Sequence, residues 1–150
     1  MTTRRWMSRV ATAAALALVG GSFASFPTPA YAATPIPIAT IQGTGASTPY
    51  AGKQVTTKPS VVTAVYGQGS SAEFRGFVIQ TPGTGGRAKS LRTPSDAIFV
   101  YLSNTAFDVR IGEQVSVSGV AGEFNGLTQI VGSSIARVPG RYRAVKPVTG

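Results

Sequence analysis

The sequence predicts an all-β protein, a small closed barrel of five strands entered through an extended lead-in. Three observations carry this. From Val55 onward, short β-branched runs alternate apolar and polar residues and are separated by Gly and Pro. Beyond residue 33, no segment repeats apolar residues at 3.6 spacing over three turns, so no helix is expected beyond a turn at 105–109. Asn125-Gly126 stands between two apolar runs in "VAGEFNGLTQI", and this dipeptide supplies the two positive φ angles that a type I′ hairpin turn needs.

The strands are expected at 55–66, 73–80, 97–103, 114–121 and 127–138. The first is long and interrupted by Pro59, which cannot donate to a ladder and so marks an edge, a bulge or a bend. In the third, Ile98, Val100 and Leu102 share one face, and Phe99 and Tyr101 share the other. In the fourth, Val115 and Val117 face inward, and the alternation slips at Gly119, where a bulge is expected. A bent first strand, glycine corners and five strands without helices are what a small barrel of the OB type needs. A β-sandwich is the alternative, but it usually takes about seven strands or more.

The segments on either side read differently. "MTTRRWMSR" is basic, "VATAAALALVGG" is an apolar stretch too short for a lasting membrane span, and "AYA" at Ala30–Ala32 offers the small residues of a cleavage site. Residues 1–32 are therefore expected to be a signal peptide removed on secretion. The route is either Sec or, given Arg4-Arg5 before Trp6, the twin-arginine pathway. Residues 33–54 form the extended lead-in, with one anchoring piece at "IATIQG", residues 55–138 the barrel, and residues 139–150 a basic linker, disordered tail or frayed end.

The chain from residue 33 holds eleven positive and five negative side chains, net +6, so its basicity does not come from the signal. Such a field favours polyanions: nucleic acid, anionic headgroups or teichoic-type polymers. There is no cysteine for a disulfide or thiolate site, and no histidine, the commonest general base and zinc ligand. The glycine-rich pieces "GTGASTP" and "GTGG" lack the Gly-Lys-Ser/Thr ending of a phosphate loop. Asp96, Asp108, Glu113 and Glu123 are dispersed, and Asp96 and Glu123 are expected to accept backbone hydrogen bonds. Neither a catalytic constellation, a metal site nor a cofactor is expected.

Five motifs occur in order between residues 38 and 138: "IATIQGTGASTPYAGKQV", "SVVTAVY", "RGFVIQ", "SDAIFVY" and "IGEQVSVSGVAGEFNGLTQI". Together they resemble the OB-fold domain that precedes the catalytic domain of secreted bacterial nucleases of the endonuclease/exonuclease/phosphatase type. The chain departs from that pattern at Pro59-Ser60, where a glycine is usual, at Ala97, and in the basic loop "GTGGRAKSLRTPS". The resemblance implies an extracellular module that either stands alone or forms the N-terminal part of an endonuclease, with that catalytic domain as a partner.

An OB barrel binds chiefly on its second and third strands, with the first–second and fourth–fifth loops as lips. Single strands are held there by cations along the phosphates and by rings that stack on bases. The expected nucleic-acid-binding residues are Arg75, Arg87, Lys89, Arg92, Phe99, Tyr101 and Phe124. All but Arg75 have a plainer reading. Phe99 and Tyr101 are instead covered by the lead-in at 36–41, Phe124 caps the core, and 87–92 is a solvated loop. Phe77 is expected in the core. The leading expectation is a monomeric module for single-stranded nucleic acid, DNA rather than RNA, without sequence preference. The alternative is a structural spacer or docking domain of a secreted enzyme.

Overall fold

A computed structural model of the chain describes residues 34–67, 75–90, 93–103 and 107–147. The expected signal peptide, the turn at 105–109 in its first two residues, Phe74 and Arg92 lie outside the described residues. Ala32–Gly150 is a compact unit by itself. Its elements are a one-turn helix α1 (Ile38–Gln42) and six strands: β1 (Gln54–Thr56), β2 (Ser60–Tyr66), β3 (Gly76–Gln80), β4 (Ala97–Tyr101), β5 (Gln114–Phe124) and β6 (Leu127–Arg137). Among the described residues, no helix is long and apolar enough to cross a membrane.

β1 and β2 are the two halves of the expected first strand. Thr57 N–H still donates to the Val117 carbonyl of β5 at 2.8 Å, the chain leaves the ladder at 58–59, as Pro59 requires, and both halves pair antiparallel with β5, at Val55↔Gly119 and Ser60↔Val115. From there the sheet runs β5-β2-β3-β4-β6 and closes as β6 returns to β5. All pairings are antiparallel except β4 with β6, which run parallel through Phe99↔Gln129 and Tyr101↔Val131. Closure of five strands with this one parallel contact is the OB-type barrel. It leaves no open edge in the ring, which removes the hazard of unpaired backbone.

The registers show why alternation sorts the residues. One line of partners, Phe77↔Val100↔Ile130↔Ala121, points inward and is fully buried. Ile79, Ile98, Val115 and Val117 join it. The neighbouring line, Tyr66↔Gly76↔Tyr101↔Val131↔Val120, points outward. The alternation of β5 does not slip at Gly119: Val115, Val117, Gly119 and Ala121 all face inward and Val120 outward, and the register shift between Ser118 and Gly119 leaves Ser133 of β6 as the extra residue, so the bulge lies on the partner strand. At the other end of this ribbon, Asn125 (φ 49°) and Gly126 (φ 79°) both have positive φ, and Phe124↔Leu127 close the two-residue turn.

The lead-in differs from a simply extended segment. Pro37 precedes α1, whose Ile38 and Ile41 are buried in the core cluster. Propensity alone does not favour five residues as a helix; burial of these two side chains supplies the stabilisation. Thr48 is buried beside it, and its hydroxyl donates to the Ile41 carbonyl and accepts from Tyr50 N–H at 3.1 Å. The β4–β5 connection contributes Val109, fully in the core, and Phe107, whose ring lies 5.9 Å from that of Phe77.

The tail is structured where described. Residues 141–147 run beside the β3–β4 loop, with Gly85 and Lys146 forming a parallel bridge.

Candidate nucleic-acid interface

On the outer face of the barrel, Tyr66 of β2, Val78 of β3 and Phe99 of β4 line the floor of a groove of about 740 Å³. They come together because β2, β3 and β4 are neighbours in the sheet and each presents an outward position there. The rings of Tyr66 and Phe99 meet edge to face, with centroids 6.2 Å apart and planes at 62°. Gly76 makes this possible. A Cβ there would stand 2.8 Å from Phe99 Cζ and 2.0 Å from the Val100 carbonyl oxygen, so only glycine lets the ring lie across β3.

One wall is the lead-in loop from Gln42 to Ala46, and the opposite wall is the hairpin at Gly126–Thr128. Glu123 ties the two walls together. Its Oε1 accepts Thr48 N–H at 2.7 Å and the Thr128 hydroxyl at 2.7 Å. The acid at the lip is thus a clasp between segments 75 residues apart. Gln42 secures the other side of the lead-in, its Nε2 donating to the Ala97 carbonyl at 2.7 Å.

Among the described residues the groove carries no charged side chain: its polar lining is Gln42, Thr44, Thr93, Ser95 and Thr128 with backbone groups. Charge begins next to it. A second cleft of about 620 Å³ shares Thr93, Ser95 and Ala97 with the groove and is lined by Arg87, Lys89 and Asp96. Lys89 Nζ sits 2.5 Å from Asp96 Oδ2 and 2.9 Å from the Pro94 carbonyl, so this lysine holds its own loop together. Arg87 is exposed.

The sequence-predicted residues therefore divide. Phe99 is in the groove, and Arg87 and Lys89 are in the adjoining cleft. Tyr101 faces outward, half-buried, and does not line the groove. Arg75 does not line it either; its Nε is buried, with no hydrogen-bond partner among the described residues. Phe124 is not a cap on the core. It is 61% exposed, because the I′ turn places it outward on the two-stranded ribbon opposite Leu127. Nor does the lead-in blanket Phe99 and Tyr101. Its isoleucines enter the core, and only the loop after α1 reaches the face.

Tyr66, Leu127 and the loop at 43–46 escape a reading based on the second and third strands. Tyr66 was visible as a large ring ending an alternating run; its pairing with Phe99 depends on the sheet order. Among known proteins, no family model, no curated protein and no solved structure matches the chain.

Proposed function

We propose that the barrel binds single-stranded nucleic acid, DNA rather than RNA, in the groove floored by Tyr66 and Phe99, without sequence preference. The observation that carries this is the ring pair of exposed Tyr66 and half-buried Phe99 on the outer face of β2–β4, beside the β5–β6 hairpin of an OB-type barrel. That face and that hairpin are where OB folds take oligonucleotides. Rings accept any base by stacking, and the neutral threonine, serine and glutamine lining has hydrogen-bonding capacity without a fixed code. In the setting that the resemblance implies, the module is exported and holds substrate for a nuclease catalytic domain.

The test is fluorescence anisotropy of the chain from Ala33 with a labelled oligothymidylate of about 12 nucleotides, within the site sizes OB folds use. Tyr66→Ala and Phe99→Ala should each weaken binding roughly 5- to 150-fold, the range for loss of one stacked base at about 1–3 kcal/mol. Absence of binding tighter than tens of micromolar at about 50 mM salt defeats the reading, since phosphate contacts are strongest at low salt.

A second reading, docking onto a protein partner, has its own observation. Val120, Phe124, Leu127 and Val131 are all exposed on the outward side of the β5–β6 ribbon. It predicts that Phe124→Ala leaves oligonucleotide affinity unchanged but weakens co-purification with an enzyme domain.

A further inference from the structure

We propose that the C-terminal strap at 141–147 and the β3–β4 loop together form a phosphate-binding ridge, across which a single strand seated in the aromatic groove continues. The proposal rests on the groove reading above and adds to it residues from the far end of the chain.

The strap is held by backbone groups. Gly83 N–H donates to the Arg143 carbonyl at 2.9 Å, Gly86 N–H to the Lys146 carbonyl at 2.9 Å, and Lys146 N–H to the Thr84 carbonyl at 3.0 Å. Gly85 has φ +92°, and a Cβ there would lie 2.0 Å from the Lys146 carbonyl oxygen, so the approach depends on glycine. Farther along, the Tyr142 hydroxyl donates to the Gly112 carbonyl. Because main-chain groups do the anchoring, the side chains of Arg141, Arg143 and Lys146 remain exposed.

Two of these cations, Arg143 and Lys146, lie over the loop. The Arg143 side chain crosses Gly83, with Cδ and Nε 3.3 Å from where a Cβ would stand, and Lys146 lies over Gly86 in the same way at 3.3–3.5 Å. Arg87 follows immediately. Among the described residues none of Arg87, Arg141, Arg143 and Lys146 is in an ion pair, and Asp96, the acid of the adjoining cleft, is taken by Lys89. Residues more than 50 apart in sequence thus form one basic surface. That surface is continuous with the groove: the cleft shares Thr93, Ser95 and Ala97 with it on one side, and on the other shares Gly85 with the surface that Lys146 lines. Among the described residues the groove supplies the ring pair and no charged side chain, and the ridge supplies the cations. A single strand needs both, bases on the rings and phosphates on the cations.

The experiment measures the salt dependence of oligothymidylate binding, at about 50 and 200 mM salt, for the chain from Ala33. Each phosphate contact adds about 0.7 to the slope of log K against log salt for a single strand. With four ridge cations engaged the slope is about −2.8, and affinity falls about 50-fold between the two salts. The double substitution Arg143→Gln/Lys146→Gln should flatten the slope to about −1.4, a fall of about 7-fold, and weaken binding at the lower salt. Lys53→Gln/Lys58→Gln, which removes the same charge elsewhere, should leave the slope unchanged. Thermal melts check that all variants fold. Equal flattening by both pairs, or none by the first, overturns the ridge while leaving the groove reading intact. Absence of wild-type binding to oligothymidylate overturns both. Inorganic polyphosphate binding as tightly as the oligonucleotide, insensitive to Phe99→Ala competition, overturns the nucleic-acid assignment in favour of another polyanion.

Discussion

Replacing Glu123 by alanine removes the acceptor that joins the lead-in to the hairpin. Two bonds are lost, from Thr48 N–H and from the Thr128 hydroxyl, each at 2.7 Å. They differ in setting. The first is partly buried, and Thr48 itself is only 5% exposed, so its amide has little access to replacement water. A hydrogen bond to a charged acceptor contributes about 1.5–3 kcal/mol when desolvated. The second bond is exposed, and water replaces most of it, leaving about 0.5 kcal/mol. The expected loss for Glu123→Ala is therefore about 2 kcal/mol, a fall in Tm of roughly 8–16 °C for a domain near 100 residues. Glu123→Gln keeps an oxygen acceptor without the charge and should lose about half as much. Urea and thermal unfolding of the chain from Ala33 measure both. A double-mutant cycle with Thr128→Val should return only the small exposed term, about 0.5 kcal/mol. Glu123→Ala within 0.5 kcal/mol of wild type, a change expected of an ordinary surface site, would refute the clasp.

Three further perturbations probe the barrel. Gly76→Ala places a Cβ 2.0 Å from the Val100 carbonyl oxygen, and it should cost more than about 3 kcal/mol or abolish cooperative unfolding, read by urea titration. Phe77→Ala empties a fully buried site against Phe107 and should cost about 3–5 kcal/mol in the same assay. Asn125→Ala puts a Cβ residue without a polar side chain at φ 49° and should lower stability by about 1 kcal/mol, whereas Asn125→Gly should be nearly neutral.

Much of the fold is written in local pattern. Period-two alternation separates Ile98, Val100 and Leu102 from Phe99 and Tyr101 onto opposite faces, and the barrel buries the first set. Pro59 and Asn125-Gly126 mark the bend and the turn because each changes what the backbone can do at its own position, whereas the bulge expected at Gly119 lies across the ladder at Ser133 of β6. Helix α1 was not legible. Five residues carry no period, and their conformation follows from where Ile38 and Ile41 can be buried.

The candidate site was legible only in part, for the same reason. Phe99 could be placed on an outward face, but an exposed ring becomes a platform only beside another ring, and the Tyr66–Phe99 pair exists because β3 lies between β2 and β4. Phe124 reads as a cap on the core before it reads as a lip, until the turn directs it away from the core. By itself the sequence determined the strands, their faces, the hairpin and the excess of positive charge, all properties of neighbouring residues or of composition. The tertiary structure alone decided that Glu123 clasps the lead-in, and that the tail returns to set Arg143 and Lys146 beside Arg87. These are contacts between distant segments. They depend on which segments the closed barrel brings together, and no local pattern in the chain encodes those particular meetings.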